Sequence, residues 1–315
     1  MSPPNINVTP GLLTVVEQDL NRCIELQLAG YEWIAFQTQN DYQLHDYDLS
    51  PAAAAGLYAG CWGVSYRPVD FWRDGKNLAE QTLSLGGRFL VMDIEEAAKD
   101  TRDARGLRRV IDGCRAGGWA GAVHLNTLGP PYNPDVNDYA IDLQSFLETG
   151  GGVQTQCYAN AYDSYAPELG VRYWTRVGVP RDRLNIQISL FPAESDAQHP
   201  NRRLDGAAWL PLLKAAGVTR DFSIFMAEAA TDADITGLLP LSRLPVVVNP
   251  TGANRLAALD LLRGSVDYWR VNNLDEWAIQ RQRQTLAWRV LNVIQSGANL
   301  DAIRAALDKA GAPKP

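Results

Sequence analysis

The sequence predicts an α/β protein built as a (β/α)8 barrel of the TIM type with a C-terminal helical extension. Three observations carry that expectation. Short apolar runs of strand length alternate with amphipathic segments of helical period along most of the 315 residues. Eight such runs recur at intervals of about 30 residues, which calls for a parallel sheet covered by helices. Their last residues are polar where their first halves are apolar, the distribution expected when a site occupies one mouth of a barrel. A doubly wound open sheet is the alternative, but such sheets usually have fewer strands and gather ligands at a switch point.

Taken in order, residues 10–30 read as a helix, because Leu12, Val15, Val16, Leu20, Ile24 and Leu28 recur at helical spacing and Gly30 ends the run. Strands are expected at 33–39, 62–66, 89–95, 121–127, 153–160, 184–190, 222–228 and 246–249. Helices are expected from Ser50 to near Gly60 and at 69–85, 104–116, 136–148, 167–177 and 207–216. Gly117-Gly118 and Gly150-Gly151-Gly152 follow such helices as terminators rather than as phosphate-cradling loops. The barrel domain is drawn over 1–270. Residues 271–315 form the helical extension, whose Leu274, Trp277, Ala278, Leu286, Trp288, Leu291 and Ile294 carry too much apolar surface to stay wet.

Composition narrows the functional classes. With 29 basic against 36 acidic residues the net charge is −7, and no basic run occurs, so nucleic acid and anionic membrane surfaces have no electrostatic support as partners. No apolar stretch approaches a membrane span, and the polar start MSPPNINVTP lacks the regions of a signal peptide. Cys23, Cys61, Cys114 and Cys157 are widely spaced and read as free core thiols. His45, His124 and His199 form no zinc pattern. Neither a metal nor an organic cofactor is expected.

The stretch Arg88-Phe89-Leu90-Val91-Met92-Asp93-Ile94-Glu95-Glu96 is an apolar run that ends in carboxylates. Alternation puts Phe89, Val91, Asp93 and Glu95 on one face, so two acids leave the strand end side by side. The same inward parity brings Gln37, Gln39, Tyr66, His124, Asn126, Gln156, Tyr158, Asn160, Gln187, Ser189, Glu228 and Asn249 to the strand ends. Amides, hydroxyls and rings around a few acids suit a neutral polyhydroxylated ligand. Phosphate sites want backbone nests or Lys/Arg clamps, and no Lys or Arg stands at a strand end. Trp62, Trp72, Trp119, Tyr132 and Tyr162 are candidates for ring platforms around the rim.

Glycoside hydrolysis needs one carboxylic acid to protonate the leaving oxygen and a second carboxylate to attack or to activate water. Glu95 is the expected acid, Asp93 its neighbour, and Glu228 a candidate second carboxylate. A sugar isomerase or aldolase is disfavoured, since no strand-end Lys is present for a Schiff base.

The Leu-Val-Met-Asp-Ile-Glu strand end, preceded by Ala-Gly-Leu-Tyr-Ala-Gly-Cys-Trp-Gly-Val-Ser-Tyr, resembles the lysozyme-type muramidases of glycoside hydrolase family twenty-five. The likeness spans about Ala54 to Glu95 and implies Glu95 as proton donor, Asp93 as its assistant and a cell-wall glycan as substrate. No Asp-x-Ser stands near the first strand, so the family's other acids have no counterpart. A second stretch, Gln154 to Leu190, is similar to barrel modules in minor tail proteins of phages infecting actinobacteria. That likeness implies a virion-borne part with other virion proteins as partners, either as an enzyme or as a catalytically inactive module that binds envelope carbohydrate.

Overall fold

The computed structural model describes residues 4–94, 105–128, 143–195 and 197–242. Eight parallel strands close into a barrel: β1 (Gly11–Thr14), β2 (Trp33–Asn40), β4 (Tyr58–Val64), β5 (Leu90–Asp93), β6 (Val123–Leu128), β7 (Val153–Gln156), β8 (Leu184–Ser189) and β9 (Phe222–Phe225). Each pairs with the next, and β1 pairs with both β9 and β2. A two-residue strand, β3 (Gln43–Leu44), turns back antiparallel on the end of β2.

The chain forms two compact units. The barrel unit comprises Met1–Glu17, Tyr31–Leu49 and Tyr58–Ser242. The second takes Gln18–Gly30, Ser50–Leu57 and Arg243–Pro315, of which the described part is two short helices, α1 (Leu20–Leu28) and α2 (Ser50–Ala54). In α1 the Asp19 side chain accepts a hydrogen bond from the Arg22 amide at 2.8 Å and so starts the helix.

The barrel unit carries α3 (Phe71–Ser84), α4 (Arg105–Ala116), α5 (Leu143–Glu148), α6 (Pro167–Arg176), α7 (Gly206–Ala215) and α8 (Asp232–Ser242). In α3 the buried residues Phe71, Asp74, Gly75, Leu78, Ala79 and Thr82 recur at three- and four-residue intervals and define one inner face. Against α4 the two backbones nearly touch. A Cβ on Gly113 would lie 2.0 Å from the Trp72 carbonyl, so only glycine fits there. The indole of Trp174 on α6 donates to Thr155 Oγ1 at 2.9 Å, and that of Trp209 on α7 to the Ser189 carbonyl at 2.9 Å, which ties each helix to the strand it covers.

The interior is asymmetric. Leu13, Trp33, Ala35, Trp62, Val64, Phe89 and Val91 pack with Ile6 into an apolar cluster on the side of β1, β2, β4 and β5. The N-terminal arm closes the amino end of the barrel from below. Asn185 Nδ2 donates to the Ile6 carbonyl at 3.2 Å, and Trp33 Nε1 to the Thr9 carbonyl at 3.0 Å.

The expected helix over 10–30 is a strand followed by a helix. Gly11–Thr14 is buried throughout and forms the closing ladder, and the helix begins only at Leu20 behind its Asp19 cap. Leu12 fits a four-residue buried strand as well as a helical period, and periodicity alone cannot separate the two over so short a run. The strand expected at 246–249 and the extension at 271–315 lie outside the described residues. All four cysteines are free and buried. No described helix is long and apolar enough to cross a membrane.

Closure depends on a gap. A Cβ on Gly11 would sit 1.8 Å from Trp33 Cε2, inside the buried indole. Gly11→Ala is therefore expected to destabilise the chain by about 1–3 kcal/mol through overpacking, read as a lowered melting temperature. An unchanged melting temperature would show that β1 does not pack on Trp33 as described.

Candidate active site

Register places the polar side chains in rows across the barrel. Val64, Asp93, Asn126, Gln154 and Asn185 align on successive strands, as do Leu128, Gln156, Gln187, Ser223 and Gly11. Because neighbours in register share a face, one side of the interior is a lattice of carboxamides. Asn126, Gln154 and Gln187 are fully buried, and neither amide atom of any of them has a hydrogen-bond partner among the described residues. Buried amides without partners cost about 1–3 kcal/mol each, so these groups call for water or a polar ligand.

Asp93 is the last residue of β5, 3% exposed, and its Oδ1 accepts a hydrogen bond from Gln156 Nε2 at 3.1 Å across the interior. The carboxylate thus stands at the carboxyl end of the barrel, with the amides below it. Four rings stand nearby: Tyr158 stacks on Phe225 at 5.9 Å, Phe191 meets Phe225 edge-on at 5.9 Å, and Trp62 meets Phe225 at 5.7 Å. Asn160 Nδ2 donates to the Phe191 carbonyl at 3.1 Å, which joins the segment after β7 to that after β8.

Past β9, Met226 takes a left-handed conformation (φ 54°), unusual for a residue with a side chain. That turn delivers Glu228, whose Oε2 accepts from Thr14 Oγ1 at 3.1 Å. Its other oxygen is buried with no hydrogen-bond partner among the described residues. Trp62 Nε1 donates to the Thr14 carbonyl at 3.0 Å, and the Tyr47 hydroxyl to the Val15 carbonyl at 2.7 Å. Burial first, and then the charges of Glu17 and Glu228, push the Tyr47 hydroxyl above its usual range, so it stays a donor.

The residues singled out from sequence are thus distributed unevenly. Asp93, Asn126, Gln156 and Gln187 occupy the polar rows, and Tyr158 and Asn160 follow β7. Gln37 keeps inward parity opposite Trp62. Gln39 does not: the register slips between Gln37 and Gln39, and Gln39 Oε1 lies 2.3 Å from where a Gly63 Cβ would be, on the face opposite Trp62 and Val64. His124 lies deep rather than at the mouth, with Nδ1 3.2 Å from Asn7 Oδ1 of the N-terminal arm. Tyr66 is 56% exposed and donates to Asn40 Oδ1 at 3.0 Å. Trp62 and Trp119 are buried and cannot serve as rim platforms. Glu95, Tyr132 and Asn249 lie outside the described residues. Phe191, Phe225, Gln154 and Asn185 were not anticipated. The last two were findable, because they share the inward parity of Gln156 and Gln187.

No protein-family model matches the sequence, and no curated protein matches it. Among solved structures the fold is similar to a chitinase from Chromobacterium violaceum, at 11% identity and TM-score 0.50 over 74% of this chain and 98% of that one. It is likewise similar to the C-terminal domain of a putative chitinase from Desulfitobacterium hafniense, at 11% identity and TM-score 0.51 over 75% and 99%. At such identity the likeness is one of fold.

Burial, with a smaller contribution from the Arg183 charge, pushes the His124 imidazole down to about 3. The unfolded chain then binds a proton that the folded chain refuses, so stability falls as pH drops from 6.5 toward 3. The expected slope from this group is up to about 1.4 kcal/mol per pH unit. Urea midpoints between pH 7 and 4 should fall less steeply for His124→Gln than for the parent. Parallel pH profiles would contradict a neutral buried imidazole.

Proposed function

We propose that the chain is a glycoside hydrolase-type barrel that cleaves a glycan strand of uncharged sugar units, of the chitin or peptidoglycan kind. The observation that carries this reading is Asp93: a buried carboxylate at the carboxyl end of a barrel strand, held by Gln156, above a neutral amide lattice and beside an aromatic wall. Amides offer both donors and acceptors to hydroxyl and acetamido groups, and rings offer apolar faces to the C–H side of a sugar. Two chitinase-type structures share the barrel, a scaffold compatible with this chemistry.

In this reading Glu95, two residues beyond Asp93 in the sequence, gives its proton to the glycosidic oxygen as the bond to the anomeric carbon breaks. A water molecule adds to that carbon and surrenders its proton to a carboxylate, for which Glu228 and Asp93 are the candidates. One new reducing end appears per bond cleaved. The muramidase-like strand end supports the Glu95 and Asp93 roles. Binding without cleavage is the second reading, favoured by the partnerless amides of Asn126, Gln154 and Gln187, which need a polar occupant whether or not chemistry follows.

The test is release of reducing ends from purified chitin and peptidoglycan. Glu95→Gln and Asp93→Asn are each expected to lower the rate by about 10²–10⁴ while leaving the chain folded. Full activity in Glu95→Gln would remove it as the acid. Retention on either glycan without any release would favour the binding reading.

A further inference from the structure

The connection between β2 and β3 is only Asp41-Tyr42, and it is held more firmly than a surface hairpin requires. Asp41 adopts a left-handed conformation (φ 52°), its carbonyl accepts from Gln39 Nε2 at 2.7 Å, and its carboxylate meets Arg73 at 3.2 Å and Arg67 at 3.6 Å. The Arg73 guanidinium lies 3.8 Å from the Tyr42 ring centroid and that of Arg67 5.2 Å, and Arg67 donates to the Tyr42 hydroxyl. Both arginines are anchored in turn, Arg67 on Asp70 at 2.7 Å and Arg73 on Asp70 at 3.1 Å and on Asp74 at 2.6 Å. Asp74 is itself buried, with Ser65 donating to it at 2.5 Å.

The result is a ring clamped by two cations and still 62% exposed. Core packing does not explain a large aromatic fixed so that most of it faces water. Two guanidiniums stand against three carboxylates, so the patch carries a net negative charge and offers nothing to phosphate or an acidic peptide. A fixed, exposed ring in a patch without net positive charge suits the C–H face of a neutral sugar. The platform also adjoins the candidate site. The Ser65 amide donates to the Asp93 carbonyl at 3.0 Å, the next residue is the exposed Tyr66, and Tyr66 is bonded to Asn40 at the base of the same hairpin.

We infer that Tyr42 is an outlying sugar-stacking site, which holds a neutral glycan chain where it leaves the barrel mouth by way of Tyr66. This rests on the glycan reading above. It makes the protein one that engages several sugar units at once, so affinity should rise with chain length.

The test measures pelleting of the full chain with insoluble chitin and with peptidoglycan, using Glu95→Gln so that cleavage does not erode the support. Tyr42→Ala and Tyr42→Leu in that background are expected to weaken retention about five- to tenfold, whereas Tyr42→Phe, which keeps the ring, stays within about twofold. Tyr42→Leu retains apolar bulk and guards against an alanine variant that fails to fold. Retention equal to the parent in both Tyr42→Ala and Tyr42→Leu overturns the platform and leaves the glycan reading standing. If the unmodified chain is neither retained by these glycans nor releases reducing ends from them, the glycan reading fails and the platform fails with it.

Discussion

The ladder that Gly11–Thr14 makes with Trp33–Phe36 on one side and with Ser223–Ile224 on the other turns a parallel sheet into a closed barrel. Closure removes the free edges and leaves every inward side chain with nowhere else to go. Trp33 can fill the narrow interior only because Gly11 presents no Cβ to it. The arm before β1 completes the arrangement, since Asn7, Ile6 and Thr9 supply partners to His124, Asn185 and Trp33 at the amino end.

An enclosed interior need not be apolar throughout, and this one is divided. The rings and aliphatic chains of β1, β2, β4 and β5 supply the hydrophobic stabilisation, while β6 to β8 turn Asn126, Gln154, Gln156, Asn185 and Gln187 inward. Burying so many carboxamides is costly unless each is met by a hydrogen bond. A barrel selected for stability alone would carry Val, Ile or Leu at those positions. Asp93 adds an acid side chain to the boundary between the halves, where Gln156 reaches across to hold it. The division therefore gives one side of the barrel the apolar packing and leaves the other lined with the carboxamides to which the proposed function assigns the ligand.

Much of this arrangement was legible in the sequence because strands enforce a two-residue period. Once β5 to β9 were recognised, Asp93, Asn126, Gln156 and Gln187 followed by parity, and the glycines that end the helices marked the repeat: Gly86 and Gly118 have positive φ just past α3 and α4. β1 was hidden because four buried residues merge with the helical spacing of the segment behind them. Gln39 went to the wrong face because a one-residue slip in β2 has no local signature. The depth of His124 depends on an arm more than 100 residues away in sequence, and the aromatic wall on Phe191 and Phe225, which meet only once β8 and β9 pair.

What ties these features together in the proposed reading is a polar interior and mouth whose amides and rings suit a neutral, hydroxyl-rich ligand rather than an anionic one. The most direct measurement is the melting temperature of the full chain with saturating neutral β-linked oligosaccharides, compared with phosphorylated sugars of similar size. Ligand linkage predicts a rise on the order of several degrees with the neutral oligosaccharides and none with the phosphorylated sugars. Stabilisation by the phosphorylated sugars alone would contradict it.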